Sequence, residues 1–179
     1  MSFRSFPVNH VVTLESGKYR PFLEQCLEAA LARVWISMFL VNPRPEADER
    51  QQVSALLKRL VKLHQSGLDV RVILGISEVK AMRIGNLTAY HYLHRAGVPV
   101  RIFRGPERTG THSKYLVLDY CSLILGSHNW TPHSLWGNRE SSLFLESSHL
   151  NTALADDFLS AWQTSYEPTG ETDVDTAAA

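Results

Sequence analysis

Residues 111 to 131 read THSKYLVLDYCSLILGSHNWT, and this stretch decides the fold. Two runs rich in β-branched and aliphatic residues, Lys114 to Leu118 and Ser122 to Gly126, flank the short polar segment Asp119 to Cys121. Two such runs joined by turn-forming residues are typical of a β-hairpin. The stretch therefore predicts a hairpin, with His112 at the entrance to its first strand.

His112 and Lys114 are the residues of this stretch that carry chemistry. Residues two apart in a strand project from the same face, so the imidazole and the ammonium lie together. An imidazole attacks phosphorus when it is neutral and donates a proton when it is charged. A fixed cation beside it stabilises negative charge on phosphate oxygens. The pair therefore predicts a site for a phosphodiester, and the alternative is a solvated loop end.

The second strand of the hairpin returns hydroxyl and amide donors to this pair. Simple pairing across the turn places His128, and not Asn129, on the face of His112. A bulge, or a strand that ends at Ser127, would place Asn129 there instead. Both arrangements bring a polar side chain beside the imidazole.

The pattern resembles the signature of the phospholipase D superfamily, HxKxxxxD followed after six residues by GSxN. The matching residues are His112, Lys114, Asp119, Gly126, Ser127 and Asn129. This resemblance implies a phospholipase D-like α/β fold with one such hairpin per chain. It also implies phosphodiester chemistry that needs no metal ion or other cofactor.

Members of this superfamily usually supply two histidines, one that forms a covalent phosphohistidine and one that protonates the leaving oxygen. This chain has one complete motif, because none of its seven other histidines is followed by a lysine two residues on. The resemblance therefore implies a C2 homodimer in which both copies of His112 serve one phosphate. Glu140 stands where the family carries a carboxylate that holds the histidine, and an exposed charge is the alternative.

Asp119 belongs to the motif but lies too far along the strand to share its chemistry. Five residues of extended strand separate it from Lys114 by roughly 16 Å. We therefore expect Asp119 to be a turn or packing residue that fixes the hairpin.

The rest of the sequence alternates β-rich runs with amphipathic stretches, which is typical of an α/β domain. Helices are predicted over Glu49 to Gln65, where apolar residues recur at helical spacing, and from about Asn151 to Tyr166. Further strands are predicted at Val11 to Leu14, Val34 to Leu40, Val70 to Leu74, Val98 to Phe103 and Ser141 to Leu145. Together they predict a mixed β-sheet flanked by helices over residues 1–166, and a disordered acidic tail over residues 167–179.

Composition says more about where the protein is located than about what it binds. Four of the 18 acidic residues and none of the 18 basic residues lie in the tail, so residues 1–166 carry a formal charge of +4. This charge is weak evidence for a polyanionic partner. The two cysteines lack metal-ligand spacing, no secretory signal opens the chain, and its longest apolar run is too short to span a bilayer. The sequence predicts a soluble, cytoplasmic protein without its own membrane anchor.

Several residues near the motif allow two interpretations. The side chains of Arg101, Arg104 and Arg108 could follow a nucleic-acid backbone or be ordinary surface charges. Trp136 could stack on a base, whereas for Trp130 core packing is the stronger of the two interpretations. A metal site formed by His112 with His128 and His133 is the weaker alternative, since no acidic cluster accompanies these histidines.

The function predicted first is that of a metal-independent homodimeric endonuclease acting on DNA or RNA. The second candidate is a phospholipid phosphodiesterase or transferase of the same superfamily. The third is a nuclease-fold subunit that acts inside a larger complex, for instance in defence or DNA processing.

Overall fold

The computed structural model describes residues 3–105 and 110–168, and strands and helices alternate from residue 10 to residue 102. Each of the seven predicted strands is present. In chain order the elements are β1 (His10–Glu15), α1 (Tyr19–Ala29), β2 (Arg33–Met38), α2 (Gln52–Gln65), β3 (Asp69–Leu74), α3 (Lys80–Arg95), β4 (Val100–Ile102), β5 (Lys114–Leu118), β6 (Ser122–Gly126), a π-helical turn (His133–Gly137), β7 (Ser141–Glu146) and α4 (Ser148–Thr164).

These strands form one mixed sheet in the order β1-β7-β6-β5-β2-β3-β4. Strands β2, β3 and β4 run parallel, and the other neighbours pair antiparallel. The predicted hairpin is β5 and β6, with Leu118 opposite Ser122. Because Lys114 pairs with Met38, the start of β5 lies beside the carboxyl end of β2.

Alternating residues of β2 cover both faces of the sheet. Val34, Ile36 and Met38 are buried in one core with apolar residues of α1, α2 and α3. Trp35 points to the opposite face, where it packs with Phe158 of α4. The predicted sheet flanked by helices is therefore confirmed, with three helices on one face and one on the other.

Helix α2 begins at Gln52, three residues after the predicted start at Glu49. Gln51 has a left-handed backbone with φ of +52°, which interrupts the helix. The buried carboxylate of Asp48 accepts hydrogen bonds from the first free backbone N–H groups, that of Gln52 at 2.8 Å. Capping by Asp48 therefore sets the start of the helix.

Helix α4 begins three residues before its predicted start, because Ser147 Oγ accepts a hydrogen bond from Leu150 N at 3.2 Å. It ends at Thr164, and Tyr166 then pairs with Ile102. Of the predicted tail, residues 169–179 lie outside the described residues. Over residues 3–105 and 110–168, no helix is both long and apolar enough to cross a membrane.

Asp119 lies in the β5–β6 turn, at the end of β5 opposite Lys114. Its φ is +47°, a left-handed conformation that aspartate tolerates better than most residues. Its carboxylate accepts backbone N–H groups of Leu31 at 3.2 Å, Ala32 at 2.8 Å and Arg33 at 3.1 Å. The side chain thereby joins the hairpin turn to the segment that enters β2.

Replacing this carboxylate tests its structural importance. We expect Asp119→Ala to lower the free energy of unfolding by about 3 kcal/mol, because three backbone donors lose a charged acceptor. Asp119→Asn keeps one acceptor oxygen and tolerates the left-handed backbone, so its loss should be at least about 1 kcal/mol smaller. Urea unfolding followed by circular dichroism measures both, and equal losses would contradict this account.

Candidate active site

His112 and Lys114 lie where the chain enters β5. Lys114 Nζ is 3.1 Å from His112 Nδ1 and 2.8 Å from the His112 carbonyl oxygen. Because an ammonium only donates, Nδ1 accepts in this contact, and a neutral imidazole then carries its proton on Nε2. The two residues that head the motif thus form a direct pair.

Phe39 packs against this pair, a contact that its place in the sequence does not predict. Its ring centroid is 4.4 Å from that of His112, and Lys114 Nζ is 5.2 Å from the ring centroid. Phe39 N donates to Ser113 O at 2.9 Å. The ring therefore borders the imidazole on one side and is anchored through the backbone.

Asn86, on α3, holds the segment that carries Phe39. The residue is 2% exposed. Its Nδ2 donates to Phe39 O at 2.8 Å and Gly75 O at 2.7 Å, and its Oδ1 accepts from Val41 N at 2.6 Å. A Cβ at Gly75 would lie 2.7 Å from Phe39 O, so glycine is required there. Asn86 thus fixes the carboxyl ends of β2 and β3 beside the imidazole.

Asn129 reaches this edge of the sheet because β6 ends at Gly126. A Cβ on Gly126 would overlap Ser142 Cα, so only glycine permits this close approach. Beyond it, Trp130 N donates to Leu40 O at 3.0 Å, which carries the chain across to the segment after β2. The sequence left two alternatives, a bulge or a strand that ends at Ser127. The strand ends at Gly126, one residue earlier, so the second alternative is close to the observed one.

His128 is a buried packing residue. Its ring stacks on Tyr19 with centroids 4.1 Å apart, and its Nδ1 is 2.8 Å from Ser142 Oγ. Burial lowers the pKa of His128 below its ordinary value, although the charge of Glu140 acts in the opposite direction. Within the described ranges, no three His, Cys, Asp or Glu side chains are grouped to hold a metal ion.

Glu140 lies in a cradle of its own chain. Its carboxylate accepts from Ser127 Oγ at 2.5 Å, Ser134 Oγ at 2.9 Å and Asn138 Nδ2 at 3.3 Å. Burial acts to raise the pKa of Glu140, but these hydrogen bonds outweigh it and hold the pKa below the usual range. No hydrogen bond joins Glu140 to His112 in the described part of the chain. The expected support of the imidazole is therefore not formed within one chain.

Ser134 connects two of the predicted site residues, and its role is not evident from the sequence. Its hydroxyl accepts from Asn129 N at 2.9 Å and donates to Glu140. The residue is 2% exposed and lies in the π-helical turn. The turn therefore links the backbone N–H of Asn129 to the carboxylate of Glu140, although 11 positions separate the two residues in the sequence.

The three arginines predicted as nucleic-acid ligands differ in their setting. Arg101 lies on β4, three strands from β5, and its guanidinium covers the Trp162 ring at 4.6 Å. It also donates to Trp162 O and pairs with Glu167 at 3.5 Å, so it is engaged on the α4 face. Arg104 is half-buried beyond β4, and Arg108 lies outside the described residues.

The two tryptophans after the motif have opposite environments. Trp130 is 1% exposed and its Nε1 donates to Tyr19 Oη at 3.2 Å, so it belongs to the core. Trp136 is 65% exposed, and the Arg50 guanidinium lies 3.8 Å from its ring centroid. Of the two, Trp136 is the one available to a ligand.

Known proteins resemble this chain in sequence. The family described as "Cardiolipin synthase, PLD-like domain" matches residues 23–162. Mitochondrial cardiolipin hydrolase of Mus musculus is 32% identical over 117 residues, which are 65% of this chain and 50% of that protein. Cardiolipin synthase B of Escherichia coli K12 is 31% identical over 101 residues, 56% of this chain and 24% of that protein. The chain thus spans half or less of these relatives.

Solved structures resemble it in fold. Nuc from Salmonella typhimurium, a phospholipase D family member, superposes with a TM-score of 0.73 at 18% identity and covers 90% of this chain and 99% of its own. NucT from Helicobacter pylori superposes with a TM-score of 0.67 at 14% identity and covers 89% and 99%. At these identities the likeness is one of fold.

Burial lowers the pKa of Lys114 below the ordinary 10.5, and the charge of Glu140 partly opposes this effect. We expect Glu140→Gln to lower the pKa of Lys114 further, because removing a nearby negative charge destabilises the ammonium. A ¹³C NMR titration of the lysine Cε resonance measures this value. Glu24→Gln, a change on α1, is the control and should leave the titration unchanged. An unchanged or raised pKa in Glu140→Gln would contradict this account of the site.

Proposed function

This chain belongs to the phospholipase D superfamily, and on that premise we propose that it is a metal-independent endonuclease whose active site is completed by a second copy of the chain. The observation that carries the proposal is the contact between His112 and Lys114 beside the segment that brings in Asn129. His112 and Lys114 contact each other at the edge of the sheet, and the backbone of Trp130, the residue after Asn129, bonds to Leu40 at the same edge. Such a set suits a phosphodiester.

In the proposed reaction, a neutral His112 attacks phosphorus and forms a phosphorus–nitrogen bond. The bond from phosphorus to the leaving oxygen breaks, and the His112 of the second copy, as an imidazolium, gives that oxygen its proton. Water then attacks the phosphohistidine and releases the phosphate, and the second histidine takes the proton of the water. Lys114 and Asn129 stabilise charge on the non-bridging oxygens, and Ser127 assists by holding the Glu140 carboxylate through its hydroxyl.

The geometry of one chain supports the need for a second copy. Lys114 occupies Nδ1 of His112, which leaves a neutral imidazole with its proton on Nε2. A histidine that attacks through Nε2 needs its proton on Nδ1, held by an acceptor. We infer that Lys114 leaves Nδ1 for the phosphate when substrate binds, and that the Glu140 carboxylate of the second copy is then that acceptor. Within its own chain Glu140 accepts three hydrogen bonds, which leaves one of its roughly four lone-pair positions open.

Nucleic acid is the substrate that we favour over phospholipid. The net charge of +4 over residues 1–166 favours a polyanion. Exposed Trp136, covered on one side by Arg50, offers a surface to a base. A phospholipid is the second candidate, because relatives that share about a third of the aligned residues are named for cardiolipin.

The primary test is cleavage in the presence of a chelator. We expect cleavage of DNA or RNA to persist in EDTA and to fall by at least about a thousandfold in His112→Ala, since the variant lacks the nucleophile. Plasmid DNA, an RNA oligonucleotide and cardiolipin vesicles are assayed side by side. Strict dependence on magnesium would sink the mechanism, and His112-dependent turnover of cardiolipin alone would assign the lipid substrate.

Mixed dimers test whether two copies share one site. If wild-type and His112→Ala chains are unfolded and refolded together in equal amounts, random pairing leaves about one quarter of the dimers with both histidines. We expect the activity per total wild-type chain to fall to about half of its unmixed value. Independent active sites would keep this activity unchanged. Light scattering on the same samples confirms that the chains are paired.

A further inference from the structure

A groove of about 620 Å³ lies beside the candidate active site. We call it the tryptophan groove, and the residues used below are Asn42, Arg50, Gln52, Thr131, His133 and Trp136. It lies between the segment that precedes α2 and the π-helical turn. Thr131 is two residues from Asn129, a distance of at most about 7 Å along the chain. The groove therefore begins next to the proposed phosphate position.

Trp136 is exposed on a rigid support. Trp136 is 65% exposed, whereas the preceding Leu135 and Ser134 are 4% and 2% exposed. Ser134 is fixed by its hydrogen bonds with Asn129 and Glu140. The residues that set the position of Trp136 are thus held by the core and by the site itself. A ring presented in this way loses little conformational freedom when a ligand binds.

One face of the Trp136 ring is already occupied. The Arg50 guanidinium lies 3.8 Å from the ring centroid, the distance of a close cation–π contact. A flat aromatic ligand can then stack on the opposite face, and the guanidinium polarises the ring between them. This arrangement suits a nucleobase, since every base has a π-face.

Gln52 lines the same groove and carries an amide oxygen without a partner in the described part of the chain. The residue is only 7% exposed, yet its Oε1 is buried and has no hydrogen-bond partner among the described residues. A buried polar atom without a partner costs free energy, so such atoms normally have one. Its amide is the kind of group that reads the edge of a base.

The charge of the groove favours a base over a phosphate. Glu46 and Glu49 line it together with Arg50, and Arg44 pairs with Glu46 at 3.2 Å. Charges of both signs therefore balance there. A neutral, aromatic and hydrogen-bonding cavity does not attract phosphate groups, but it accommodates a nucleobase whose own phosphate lies in the active site.

We propose that the tryptophan groove is a nucleobase subsite, which binds one unpaired base next to the phosphate that is cleaved. The base stacks on the free face of Trp136 and hydrogen-bonds with His133, and with the Gln52 amide when it turns toward the groove. A base in a duplex already has both faces stacked and its edge paired, so only a single strand fills the subsite. This inference rests on the proposed function and assigns its substrate class as single-stranded nucleic acid.

The kinetic test compares a single-stranded oligonucleotide, its duplex, and an oligonucleotide of the same length made of abasic residues, each as DNA and as RNA. We expect the wild type to prefer the single strand over both others. Trp136→Ala should raise the KM for the single strand about tenfold, and Trp136→Phe should retain most of the affinity, because base–aromatic stacking provides it. Cleavage of the abasic strand should be the same in all three proteins.

Tyr120 offers a matched control. It is 67% exposed and carries a guanidinium, that of Arg33, at 4.9 Å from its ring, but it lies in the turn at the far end of β5. Tyr120→Ala should leave the preference for single strands unchanged. Equal cleavage of duplex and single strand, or equal effects of Tyr120→Ala and Trp136→Ala, would overturn the subsite.

Binding separates this inference from the proposed function. Fluorescence anisotropy of a labelled single strand is measured with His112→Ala and with His112→Ala/Trp136→Ala. We expect the second protein to bind about tenfold more weakly, and Gln52→Ala in place of Trp136→Ala to weaken binding as well. If His112→Ala cleaves like the wild type, the proposed mechanism fails while the affinities still decide the subsite. Equal affinities of the two proteins would refute the subsite even if the mechanism holds.

Discussion

The hydrogen bonds that hold residues 39–42 are the constraint on which the candidate site depends. Phe39 N donates to Ser113 O, which fixes the entrance to β5. Leu40 O and Asn42 N bond to the backbone of Trp130, which fixes the segment after β6. The entrance to β5 and the segment after β6 are not joined by a regular strand ladder. Residues 39–42 align them by bonding to both. The precision of the site is therefore set at the carboxyl end of β2, outside the hairpin that contains the motif.

Asn86 makes this constraint rigid, because a buried amide satisfies three backbone groups that would otherwise be unpaired. Backbone groups at the end of a parallel strand have no further ladder to join, and leaving them buried and unpaired is costly. Helix α3 provides the missing partners through one side chain. The packing of a helix on the sheet and the position of the His112 imidazole are in this way coupled through the Phe39 peptide.

The hairpin and its register could be predicted because they depend on local features, an alternation of apolar residues and a short polar turn. The start of α2 could not, since it depends on Asp48 folding back onto Gln52, Val53 and Ser54. The position of Asn129 also required tertiary information, because periodicity alone continues β6 past Gly126. The close approach of Gly126 to Ser142 and the pairing of Trp130 with Leu40 decide it. The resemblance to the family pointed to Glu140 downstream of the motif, but its contacts with Ser127, Ser134 and Asn138 come from three separate positions.

The π-helical turn has a consequence for how this protein can change during evolution. Ser134 and Leu135 are enclosed by the core and the candidate site, so variation there disturbs both. Trp136 projects outward from the same turn and touches Arg50. Selection can therefore exchange the residue at position 136 while the residues of the candidate site stay in place. Under the proposed function, homologous chains can acquire new substrate preferences at position 136, and the candidate site and its specificity need not be of the same age.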